Sequence, residues 1–128
     1  MPHIAVEHSA NMEDRADISA LCDVLRRAAI ETGLFPVAGV RVRAHRCDHA
    51  SIADGNPAHG FVDIAVRLRA GRPLEAREAA AAGIFAAAEA FLAPAMEAAP
   101  VALSLEMRDI DPALSLKTGT IRRHMEGA

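Results

Sequence analysis

The sequence of 128 residues has no tryptophan and no tyrosine, and only four phenylalanines. Aromatic bulk is the usual source of large buried area, so a core built here is thin. There are only two cysteines, Cys22 and Cys47, and their spacing matches no zinc or redox signature. No basic excess exists: the formal net charge is -3, against the basic balance of a general nucleic-acid binder. The start, Met1 to His8, lacks the basic and apolar regions of a signal peptide. The nearest approach to a membrane span, 79–99, is interrupted by Gly83, Glu89, Pro94 and Glu97. No phosphate-cradling glycine loop and no nucleophile motif occurs. These absences predict a cytoplasmic protein with no nucleic-acid or membrane partner.

What is present is alanine, 29 of them, and it inflates the hydrophobic fraction of 52%. Alanine buries little area per residue, so either the helices lie very close to a sheet or part of the core forms between subunits. The length suits a single domain, 1–128.

The patterning predicts β-α-β followed by β-α-β. Residues 2–7 read as a strand and 8–15 as a polar stretch. Asp17 is an N-cap for a helix over 17–32, with Ile18, Leu21, Leu25 and Ala28 at helical spacing and Gly33 as its stop. Val37 to His45 alternates as a strand, Val40, Val42 and Ala44 against Arg41, Arg43 and His45. Turn chemistry fills 48–59, and a third strand spans 60–69. Pro73 suits the first position of a second helix, whose alanine-rich body should kink or end at Pro94. A fourth strand covers 101–108, and a mixed tail, 109–128, docks on a neighbouring element. The pseudo-repeats are about 1–47 and 60–108. Each strand–helix–strand unit makes a parallel pair, so the fold class is α+β, a two-layer, four-stranded sheet with both helices on one face. The other face then needs a partner chain.

Three residues stand out for chemistry. Removal of Met1 would leave Pro2 with a free secondary amine, which titrates near neutrality and is a competent general base. Read alone, it is equally a chain that happens to begin Met-Pro. Arg72, at the mouth of the second helix, could clamp a carboxylate with the helix N-terminus; the alternative is a solvated turn arginine. Arg41 matters if its strand face is covered by a partner subunit. Together they suit a small-molecule substrate carrying several carboxylates. His45 and His49, with His59 further on, span a strand end and a loop rather than a helix face, so His45 is read as a polar partner in the sheet.

The segments Met1-Pro2-His3-Ile4-Ala5-Val6-Glu7, Thr32 to Arg43 (TGLFPVAGVRVR), Ala53-Asp54-Gly55, Ala70-Gly71-Arg72-Pro73-Leu74-Glu75-Ala76-Arg77 and Ala102-Leu103-Ser104-Leu105-Glu106 carry a resemblance. Together they resemble the 5-carboxymethyl-2-hydroxymuconate isomerase family of the tautomerase superfamily, over nearly the whole chain. The resemblance implies a homotrimer of β-α-β-β-α-β protomers, with active sites near subunit interfaces. It implies Pro2 as proton-transfer base, Arg41 and Arg72 as site arginines, no metal and no organic cofactor. The implied substrate is a carboxylate-bearing dienol of homoprotocatechuate degradation. The family pattern has aromatics just after the second strand, where this chain has Arg46, Cys47, Asp48, His49 and Ala50; that implies a different or more polar acid. The family's second helix continues through the position of Pro94. Other reactions of the superfamily on a different unsaturated acid, or a trimeric binding protein without catalysis, are the alternatives.

Overall fold

A computed structural model describes residues 2–125. The Met1 amide and the domain edges at 1 and 126–128 lie outside the described residues. Four strands, β1 (His3–Ser9), β2 (Arg41–Cys47), β3 (Gly60–Arg69) and β4 (Val101–Ile110), form one sheet in the order β2-β1-β3-β4. Two helices, α1 (Ile18–Glu31) and α2 (Leu74–Ala98), connect the parallel pairs β1–β2 and β3–β4. The two units join through the antiparallel β1–β3 pair.

Local chemistry sets the helix ends. The Asp17 side chain caps α1 by accepting from the Ala20 amide at 3.0 Å. Gly33 takes φ +68°, a left-handed conformation that suits glycine and ends the helix. Pro73 is the N-cap of α2 rather than its first residue. Pro94 does not end α2, which runs on to Ala98. Both Pro94 and Ala90 are exposed, so the carbonyl that loses its bond to residue 94 can bond to water. The ladder has recovered by Ala99, whose amide donates to the Ala95 carbonyl at 3.0 Å.

Further boundaries differ from the sequence pattern, and β1 and β4 each end two residues later, at Ser9 and Ile110. Residues 37–39 form a short 3-10 turn, so the second strand begins at Arg41, and it continues to Cys47. Gly39 and Val40 amides bond back to Pro36 and Val37, which turns the chain instead of extending it. The polar stretch after β1 is also a 3-10 turn, Ala10–Asp14, that buries Met12.

The core lies between the helices and one sheet face. Ile4 and Val6 of β1 and Val62, Ile64, Val66 and Leu68 of β3 are buried against Leu21 and Leu25 of α1 and Ile84, Ala88 and Leu92 of α2. Along α2 the buried residues recur every fourth position, Ala80, Ile84, Ala88 and Leu92, a narrow stripe whose alanines permit close approach. By length and composition α2 is apolar enough to cross a membrane, with an 18-residue window of mean hydropathy 1.6 despite its interruptions. In the fold it lies on the sheet.

Among the described residues the opposite sheet face carries no α-helix, and it is charged. The registers place Arg41, His3, Arg67 and Arg108 in one line across all four strands. Two lines further along stand His45, Glu7, Asp63 and Ser104.

Candidate active site

The topology gathers the starts of β1 and β2 and the ends of β3 and β4 at one end of the sheet. Pro2 precedes β1 there and is buried. Arg41 opens β2, and Arg72 follows three residues after the end of β3. All three sequence-predicted residues therefore reach the same end.

They are not used alike. A cavity of about 400 Å³ at this end is lined by His3, Arg41, Arg69 and Lys117, with Ser115 and Thr118 supplying hydroxyls. Its apolar wall includes Ile110 and Leu116. Among the described residues no Asp or Glu lines it. Pro2, buried beside it, is not among its lining residues, and neither is Arg72. The Arg72 Nε donates to the Leu34 carbonyl at 3.2 Å and Nη1 to the Arg69 carbonyl at 3.0 Å. Its guanidinium lies 5.6 Å from the centre of the Phe35 ring. Arg72 thus ties the loop after α1 to the end of β3, whose Arg69 enters the cavity.

His3 is the titratable group of the cavity floor. Arg43 Nη1 donates to His3 Nδ1 at 3.3 Å, and a guanidinium cannot accept, so that nitrogen carries a lone pair. Burial, then the charges of Arg67, Arg41 and Arg43, hold the imidazole below its ordinary value. A neutral ring beside three arginines fits a site kept ready for an anion.

Residues 46–50 stand elsewhere. From Arg41 to Cys47 a strand advances roughly 20 Å at its usual rise. Cys47, Asp48 and Ala50 line a second cavity, of about 290 Å³, at the far end. Within one protomer they do not touch the cationic cavity, so the missing aromatics do not alter it. His45 is exposed on β2 opposite Glu7, and His59 Nε2 pairs with Asp54 Oδ1 at 2.7 Å.

The sequence reading missed His3, Arg69 and Lys117. The alternation of Arg67 and Arg69 along β3 was a usable signal, since it put both on the open face. Lys117 had none, because only the folded tail brings it to the sheet.

The sequence pattern of the 5-carboxymethyl-2-hydroxymuconate isomerase family matches residues 2–125. The chain belongs to this family. A curated relative, 5-carboxymethyl-2-hydroxymuconate Delta-isomerase of Escherichia coli, is 35% identical over 121 residues, covering 94% of this chain and 96% of the relative. A crystal structure of a 5-carboxymethyl-2-hydroxymuconate delta-isomerase superposes with a TM-score of 0.91 at 28% identity, covering 100% of this chain and 95% of that one. The isomerase from Deinococcus radiodurans gives 0.89 at 26% identity, covering 98% and 95%. A fused 4-OT symmetric trimer shares the fold at a TM-score of 0.70 and 20% identity, covering 91% and 93%. The chain is therefore an isomerase-family member with the tautomerase fold.

Proposed function

We propose that this protein isomerises 5-carboxymethyl-2-hydroxymuconate, within homoprotocatechuate degradation, with the Pro2 amine as the proton carrier. The observation that carries the reading is the cationic cavity, without a carboxylate among the described residues, at the sheet end where Pro2 precedes β1. The substrate is a dienol bearing carboxylates, and such a cavity neutralises them. The named activity of the relatives supplies the reaction class.

With Met1 removed, Pro2 holds a secondary amine of a class that titrates near neutrality, and burial favours its neutral form. The amine takes the proton of the 2-hydroxyl. The freed electron pair forms the C2 carbonyl, and the double bonds shift along the chain. A carbon further along takes the proton back from the prolinium, which restores the amine. Arg41 orients a carboxylate and offsets charge developing on the 2-oxygen. Arg72 contributes by holding the end of β3 through its bonds to the Leu34 and Arg69 carbonyls. No cofactor enters this chemistry.

The working form is a homotrimer with sites near subunit interfaces. The uncovered charged sheet face supports this, as does the symmetric trimer formed by the fused 4-OT relative. The test is loss of the dienol absorbance in the ultraviolet, on protein whose N-terminus is sequenced as Pro2. Conversion to the ketone is expected. No conversion by such protein would remove the proposal.

A further inference from the structure

The cavity holds more positive charge than the residues so far assigned to it account for. Arg41, Arg69 and Lys117 all line it, and among the described residues none of the three makes an ion pair. Elsewhere Arg26, Arg27, Arg46, Arg77 and Arg108 each meet a carboxylate and Arg15 and Arg72 bond backbone carbonyls; what sets these three apart is their convergence on one cavity. Three unpaired cations around one cavity repel each other until an anion enters.

Their placement selects the shape of that anion. Arg41 stands on β2 and Arg69 on β3, with β1 between them, so their strands are roughly 10 Å apart. A six-carbon diacid spans that floor between two long guanidinium side chains. Lys117 comes from a different layer. The chain leaves β4 at Ile110, makes a 3-10 turn at Pro112–Leu114, and brings residues 115–118 over the cavity. A carboxylate branching off the diacid meets the tail and not the sheet. An ammonium on a flexible stem suits such a single-point contact.

We infer that Lys117 is a specificity-determining residue that binds the third carboxylate of a branched tricarboxylate substrate. This rests on the cavity being the substrate site proposed above.

The test is calorimetric titration of the full-length protein with two unreactive acids, hexanedioate and 2-(carboxymethyl)hexanedioate, at fixed ionic strength. The native chain is expected to bind the triacid at least about tenfold more tightly, the size of one charge-assisted contact. Lys117→Ala should erase that preference, with a much smaller loss for the diacid, which has no carboxylate facing the tail. Lys117→Arg should restore most of the preference. A native chain without the preference, or a preference kept in Lys117→Ala, overturns the assignment. So does an equal loss for both acids, which would mark a general electrostatic or folding effect. The two readings fail separately. Lys117-dependent preference without muconate turnover removes the isomerase reading alone. Turnover with preference independent of Lys117 removes only this one.

Discussion

The far end of the sheet and the cavity at its near end use charged side chains in opposite ways. At the far end charges are matched: Arg46 bonds Asp48 at 2.8 Å and Glu13 at 3.3 Å, and Asp54 pairs with His59. The Asp54 carboxyl is held below its usual range, first by the Asn56 amide and then by His59. Asn11 closes the loop there by donating to the His59 carbonyl at 2.9 Å. In the near-end cavity the cations gather with no carboxylate lining it among the described residues. Matched charges hold a loop, whereas unmatched ones wait for a ligand. The same residue types therefore hold structure at the far end and stand unmatched in the cavity.

Changes at the near end should break activity most. Pro2→Ala, with the N-terminus confirmed, leaves a primary amine, and kcat should fall about a hundredfold if the ring nitrogen carries the proton. Equal turnover would remove Pro2 from the chemistry. Arg41→Ala should lower kcat/KM by about tenfold to a hundredfold, the worth of a charged hydrogen bond. Its midpoint in urea should stay close to that of the native protein, because Arg41 makes no ion pair among the described residues.

Arg72 sharpens the contrast between clamp and ligand. Arg72→Ala should cost about 1.5–3 kcal/mol of stability through the two lost carbonyl contacts, read by urea denaturation. An unchanged midpoint with a raised KM would instead make it a direct substrate contact. A smaller effect concerns pH. Because the folded chain holds His3 below its ordinary value of 6.5, the unfolded chain takes up the proton first as pH falls. Stability should be flat with respect to His3 above about 6.5 and decline below it, down to the depressed folded value. His3→Gln should remove that part of the slope in a melting series. The smallest effect belongs to the far end: Arg46→Ala should leave kcat/KM within about twofold, as exposed ion pairs contribute little. A larger loss would show that a neighbouring subunit brings this end to the site.

Much of the fold was legible in local pattern. Asp17 and Gly33 bounded α1 because capping and left-handed backbone depend on single residue types. β3 ran from Gly60 to Arg69 as its alternation indicated. Pro94 misled, because proline's cost depends on whether the orphaned carbonyl meets solvent, which the helix's docking decides. The strand start at Val37 failed for a similar reason, since a 3-10 turn and a strand both accept the sequence Val-Ala-Gly.

The site divides along the same line. Sequence alone brought out Pro2, Arg41 and Arg72, through the chemistry of an N-terminal proline and the segments surrounding them. It also determined the doubled β-α-β order, because periodicity and turn residues are local properties. Only tertiary structure decided that Arg72 points into a loop while Arg69 and Lys117 point into the cavity. Strand register and the path of the tail make that choice, and both are set by contacts between residues distant in the chain. The few aromatics mattered in the same way: a thin, alanine-rich core suffices where the helices lie close on one face, and the other face remains charged and open.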